Sequence, residues 1–154
     1  MINYNGKAVN NITYNSTTLT KVDYNGITVW EKLEPPTLAL SGTYMSITKA
    51  ANSTSTIMYC FDSNDQSTPI SWVQTGGSGY SIAAWITDPG SYIIKAIAVG
   101  AGSLNAQGEF IPTGVYANSE WSNSQSYTIS SNKVIKFYHG STAPGACGGI
   151  AKYE

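Results

Sequence analysis

Few of these 154 residues could carry covalent chemistry, and their spacing decides against most reactions. The single histidine, His139, would have to act as base for any serine or cysteine nucleophile. The nearest approach to a nucleophile elbow, Gly76-Gly77-Ser78-Gly79-Tyr80, places tyrosine where the last glycine is required. Cys60, Cys147 and His139 are too few and too scattered for a four-ligand zinc site. Asp62-Ser63-Asn64-Asp65-Gln66 begins like a calcium loop. However, Ser67 stands where the turn glycine belongs and Val73 where the bidentate glutamate belongs, so an inter-strand turn is expected there. Glu109 and Glu120 are the one carboxylate pair to weigh for glycoside cleavage, a chemistry set by a separation that an irregular loop leaves open. The expectation is therefore a non-enzymatic protein with no catalytic residue, no metal and no cofactor.

What remains is binding, and composition narrows its kind. All eight basic residues are lysines and the net charge is -1, so the guanidinium fork that reads phosphates and guanine edges is missing and nucleic acid is not an expected partner. Apolar stretches such as Tyr92 to Gly100 fall well short of the roughly 20 residues that span a bilayer, so no membrane insertion is expected. The opening Met1-Ile2-Asn3-Tyr4-Asn5-Gly6 lacks the basic and apolar regions of a signal peptide, which points to a chain made, and at least initially kept, in a cytoplasm. Two reduced thiols are then expected, with Cys60 packed as a small hydrophobe, the alternative being a Cys60–Cys147 disulfide pinning the tail. Eleven tyrosines and four tryptophans supply surfaces that can stack on sugars or proteins. Trp72 and Trp85 read as core. Trp30 and Trp121 flank loops and read as contact residues.

The elements that would position such surfaces begin with a repeat. Residues 2–11, 12–21 and 22–31 are three ungapped copies, with Ile2, Ile12 and Val22 at the first position and Tyr4, Tyr14 and Tyr24 at the third. Val9, Leu19 and Val29 fill the eighth position. A register held over three copies marks a repeated structural unit. Asn5-Gly6 and Asn25-Gly26 are hairpin signals, because both residues accept the positive φ of a type I′ turn, and Asn15-Ser16 is a weaker version. Two-residue turns at these pairs set Tyr4 against Lys7, Asn3 against Ala8, Ile2 against Val9, Ile12 against Leu19 and Val22 against Val29. The result is a ribbon with its tyrosines and aliphatic residues on one face, too small to fold unaided. It must cover that face with its own downstream chain or with another subunit.

Pro35-Pro36 closes the ribbon. The spacing of turn signals then predicts strands at Leu38 to Leu40, Tyr44 to Thr48, Thr56 to Phe61, Ile70 to Gln74, Tyr80 to Trp85, Ser91 to Val99 and Gln125 to Ile129. Seven short strands in this length read as a β-sandwich. In the long strand Tyr92, Ile94, Ala96 and Ala98 share one face and Ile93, Lys95 and Ile97 the other. One more strand candidate, Val134 to Tyr138, precedes the glycine-rich stretch Gly140 to Gly149, which reads as a flexible tail or an arm ordered by a partner. The expected organisation is all-β: a hairpin repeat over 1–34, a sandwich over 35–130 and a C-terminal arm over 131–154.

The pattern around Tyr4-Asn5-Gly6 and Tyr24-Asn25-Gly26-Ile27-Thr28-Val29-Trp30-Glu31 resembles short YNG-type repeats near the ends of bacteriophage virion proteins. Residues 36–129, with Gly90 to Val99 and Ser119-Glu120-Trp121-Ser122-Asn123-Ser124 before Tyr127-Thr128-Ile129, resemble phage and bacterial immunoglobulin-like or fibronectin type III-like domains. Fibronectin-like is the closer match, since Cys60 has no cysteine partner on the Tyr92 to Val99 strand. The resemblance implies a virion structural protein, made in a host bacterial cytoplasm, that decorates a capsid or forms a head fibre. A tail or baseplate adhesin is the second possibility and a carbohydrate-binding module of a secreted protein the third. Implied partners are other virion proteins or its own copies as a homo-oligomer, and host-surface glycans. Attachment is then expected through Ile2, Tyr4, Val9, Ile12, Tyr14, Leu19, Val22, Tyr24, Val29 and Trp30, with Trp121 as a separate surface contact.

Overall fold

A computed structural model describes residues 3–4, 7–41, 44–75, 82–130, 135–138 and 150–153, with side chains over 9–39, 47–75 and 86–130. His139, Cys147, Asn5-Gly6, Ile2, Val134 and the stretches 76–80 and 140–149 lie outside the described residues, as do the side chains of Tyr4 and Trp85. The described elements are all strands. They run β1 (Asn3–Tyr4), β2 (Lys7–Ala8), β3 (Ile12–Tyr14), β4 (Thr17–Leu19), β5 (Lys21–Tyr24), β6 (Ile27–Lys32), β7 (Thr37–Ser41), β8 (Tyr44–Thr48) and β9 (Ser55–Asp62). There follow β10 (Ser71–Thr75), β11 (Ile82–Ile86), β12 (Gly90–Val99), β13 (Gly102–Leu104), β14 (Phe110–Pro112), β15 (Tyr116–Ala117), β16 (Gln125–Ile129), β17 (Ile135–Tyr138) and β18 (Ile150–Tyr153).

The repeats fold as hairpins, in the expected register for the first two: Asn3 opposite Ala8, Tyr4 opposite Lys7, and Ile12 opposite Leu19. Positive φ at Asn15 (48°) and Ser16 (65°), and at Asn25 (50°) and Gly26 (76°), gives both described turns the primed twist that suits flanking strands. The third copy departs. Its register shifts between Val22 and Asp23, so Val22 pairs with Trp30 and not with Val29. The extra residue on β6 is a bulge, and because side chains alternate, it turns Trp30 onto the side that Val22 occupies. Trp30 is fully buried there, and its indole N–H donates to Val9 O at 2.9 Å.

β6 then runs parallel to β15, Glu31 beside Tyr116 and Lys32 beside Ala117. Glu31 N–H donates to Val115 O at 3.0 Å and Leu33 N–H to Ala117 O at 3.2 Å. Leu33 packs with Ala50 and Ala98, and Lys32 pairs with Glu120. The third repeat is thus rooted in the body across the boundary expected at residue 34.

Two antiparallel sheets form a β-sandwich-like body, one ordered β10-β9-β12-β16 and the other β11-β17-β18-β8-β7. Their shared core joins Leu38, Ile47 and Ile86 of the second sheet to Met58, Cys60, Val73, Ile94, Ala96 and Ile129 of the first. The alternation expected along β12 holds, its Tyr92, Ile94, Ala96 and Ala98 all buried. Ile135–Tyr138 lies within the expected strand Val134 to Tyr138, and with Ile150–Tyr153, expected as arm, it forms inner strands of the second sheet, joining β11 to β8. Their apolar and aromatic residues pair edges that would otherwise present open backbone groups.

Besides β18, three short strands were not foreseen, β13, β14 and β15, all between β12 and β16. The β13–β14 hairpin lies over the outer face of the first sheet, where Phe110 clusters with Ile57, Tyr59, Phe61 and Val99. β9 is consequently covered on both faces, and every residue from Ser55 to Phe61 is buried.

Truncating Ile94, which has no exposed surface, is expected to cost about 2–5 kcal/mol through lost transfer energy and the cavity left behind. Urea unfolding of Ile94→Ala followed by circular dichroism checks it; an effect near zero contradicts the assigned faces.

Candidate functional site

The outer face is where binding chemistry collects. Tyr59, Phe61 and Lys95 project there from β9 and β12, with Lys95 opposite Tyr59 and Ile93 opposite Phe61. Among the described residues β12 has no strand partner on the β16 side beyond Ile94, because β16 pairs only over Gly90 to Ile94. Residues 119–122 take that place with side-chain help. Ser119 N–H donates to Ala98 O at 3.0 Å while Ala98 N–H donates to Ser119 Oγ at 2.8 Å. Ser122 repeats the exchange with Ala96 at 2.8 and 2.9 Å. The hydroxyls finish by donating to Glu120 O and Asn123 O, each at 2.7 Å, so the amide and the hydroxyl of both serines are used.

Trp121, between these serines, lies on the aromatic floor. Its ring centroid is 5.3 Å from Tyr59 and 5.7 Å from Phe61, at interplanar angles of 87° and 85°, the edge-to-face arrangement that aromatic quadrupoles prefer. Lys95 Nζ sits 5.5 Å from the Trp121 centroid and 5.0 Å from that of Phe61. With all this support, 44% of Trp121 still faces solvent.

The opposite wall is the β13–β14 turn. Asn105 Oδ1 accepts from the backbone N–H of Gln107 and of Glu109, both at 2.9 Å, and so fixes the loop. Gly108 has φ +80° and lies on the Trp72 ring so closely that a Cβ would stand 2.7 Å from Cδ2. Its carbonyl accepts from the Tyr59 hydroxyl at 2.7 Å. Between the walls is an open cleft of about 400 Å³, lined by Tyr59, Phe61 and Trp121 and rimmed by Asn10, Gln66, Gln107, Glu109 and Asn118. Asn118 Nδ2 donates to Phe110 O at 2.9 Å, and its Oδ1 is buried with no hydrogen-bond partner among the described residues.

Trp121 is therefore placed at the surface, as expected of it. Trp30, expected beside the attachment residues, is buried; Trp72 is half-buried beneath Gly108. Of the other attachment residues, Val9, Ile12, Leu19, Val22 and Val29 are half-buried, whereas Tyr14 and Tyr24 are 68% and 70% exposed. Glu109 lines the cleft and Glu120 is engaged with Lys32, so the two carboxylates serve different contacts. In the 62–67 turn Asp62 Oδ1 accepts from Asn64 N–H, and Asp65 Oδ1 from the N–H and hydroxyl of Ser67, which lowers the Asp65 pKa. The cleft itself was not foreseen. Its available signals were Ser119-Glu120-Trp121-Ser122, of which only Trp121 is singled out as a contact, and Asn105 to Glu109, a turn-former cluster inside an unassigned stretch.

No protein family, curated protein or solved structure was found to match this chain.

Burial, with the Glu109 charge adding, pushes the Tyr59 hydroxyl from 10.0 up to about 12. Burial, with Asp62 adding, pushes the Cys60 thiol from 9.0 to about 12, and burial alone raises Tyr127 from 10.0 to about 12. Each group keeps its proton in the folded state after the unfolded chain has lost it. Their contribution is whole below pH 9 and is lost as pH rises towards about 12. The urea midpoint should hold steady from neutrality to about pH 9 and then fall, with the onset moved towards pH 10 in Cys60→Ala. A midpoint that rises or stays flat over that range contradicts the burial of these groups.

Proposed function

We propose that this protein is a non-catalytic structural component of a bacteriophage virion, a capsid decoration or head-fibre-type protein displaying an immunoglobulin-like, fibronectin III-like body. In this reading the ribbon attaches to neighbouring virion proteins or to further copies of the chain. One observation carries it: the ribbon is rooted in the body at its third copy, yet Tyr14, Tyr24 and Ile27 are left about two-thirds exposed. Scattered apolar residues are ordinary on a surface, but here two of the three recur at the same position of a ten-residue repeat. A repeating surface of this kind suits a repeating lattice.

Rooting gives the attachment its geometry. Trp30 holds Val9, Lys32 donates to Asn11 and pairs with Glu120, and Leu33 sits in a small core of its own. Load applied to the ribbon would pass into the body through β6 and β15 and not through a slack linker. Deleting all of residues 1–34 would remove Trp30 and Leu33 and so confuse attachment with stability; surface substitutions avoid this.

The variant Tyr14→Ser/Tyr24→Ser/Ile27→Ser should keep the wild-type unfolding midpoint to within about 0.5 kcal/mol per site. It should nevertheless fail to self-associate in sedimentation velocity or to label capsids in immunogold microscopy of the phage that carries it. Unchanged assembly by the triple variant would remove the ribbon from the attachment role, and gold confined to the tail tip would move the protein to the tail or baseplate.

A further inference from the structure

We propose that the cleft between Trp121 and the β13–β14 turn is a binding site for a neutral saccharide, independently of what the ribbon attaches to. Three features converge on that ligand class. Saccharides offer flat patches of C–H groups and a ring of hydroxyls, so a site for them needs an exposed aromatic face and planar polar side chains around it. Trp121 supplies the face, and it is pre-positioned: Tyr59 and Phe61 hold it edge-on, and the Ser119 and Ser122 exchanges with β12 fix its backbone. Little order would have to be imposed on binding.

The polar rim is the second feature. Asn10, Gln66 and Gln107 are exposed amides, each able to donate and accept towards adjacent hydroxyls. Glu109 is the one charged residue of the lining, so a carboxylate- or sulfate-bearing sugar would meet a like charge inside the cleft, while the Lys95 ammonium, 5.0 and 5.5 Å from the Phe61 and Trp121 rings, is not itself part of the lining; a neutral sugar would meet a good acceptor. Third, the wall facing Trp121 is fixed before any ligand arrives: Asn105 Oδ1 holds the β13–β14 turn through the Gln107 and Glu109 N–H groups, and Asn118 Nδ2 donates to Phe110 O at 2.9 Å. At about 400 Å³ the cleft lies within the roughly 300–1,000 Å³ of small-molecule sites.

The test uses the full chain in saturation-transfer NMR and tryptophan-fluorescence titrations with maltotetraose, cellotetraose and triacetylchitotriose, and with trigalacturonic acid as the acidic counterpart. At least one neutral probe should bind, and the acidic probe should bind more weakly than it. Trp121→Ala should lower the affinity by about tenfold or more, the loss of one stacked ring and its buried area, while Trp121→Tyr restores most of it. Should Trp121→Ala fail to fold, Asn10→Ala/Gln107→Ala changes two exposed rim residues and should weaken the same probe at least threefold, about 0.6 kcal/mol. No binding of any neutral probe at millimolar concentration, tighter binding of the acidic probe, or affinity unchanged in the folded variants would overturn the proposal.

Discussion

Strand β9 has to be dry on both faces, and the rest of the body is arranged around that demand. Its run Ile57-Met58-Tyr59-Cys60-Phe61 is apolar at every position, unlike a strand with one wet side, and Ser55 and Thr56 before it are buried as well. Met58 and Cys60 face the second sheet, and Ile57, Tyr59 and Phe61 point the other way. A two-layer sandwich leaves that second face in water. The β13–β14 hairpin and the 119–122 segment exist to cover it, and their incomplete meeting leaves the cleft. The candidate site is thus a consequence of how the core is closed.

Closure also explains why polar residues are buried in unusual places. Ser119 and Ser122 act in place of a strand, giving β12 a donor and an acceptor at two positions beyond its pairing with β16. Asn123 then both accepts from Leu38 N–H and donates to Leu38 O, each at 2.8 Å, and ties this segment to the edge of the second sheet. A chain rich in amides and hydroxyls and poor in charge suits this construction, since neutral groups are cheaper to bury than ions when every bond is made.

Much of this was legible in the sequence, for local reasons. Asn-Gly and Asn-Ser pairs imposed their turns, and the period of two along Tyr92 to Ala98 fixed which residues are inside. The third hairpin was misregistered because a bulge has no marker in a repeat that otherwise fits; what decides it is the burial of Trp30, a tertiary effect. β17 was expected as a strand but its place in the sheet was not, and β18 was missed, because the chain between them is glycine-rich and β11 and β8 lie far away in sequence. The cleft was invisible for the same reason, its walls being drawn from residues 10, 59–69 and 97–121.

β9 and β12 are the cooperative centre of the body, and the second hairpin is a surface unit held by few contacts. Native-state hydrogen exchange separates these most directly. Amides of Ile57 to Phe61 and Ile94 to Val99 should exchange only through global unfolding, while those of Ile12 to Leu19 exchange orders of magnitude faster and Lys32 and Leu33 fall with the body. Rapid exchange along β9, or protection of Ile12 to Leu19 equal to that of β9 in the isolated monomer, would contradict this division.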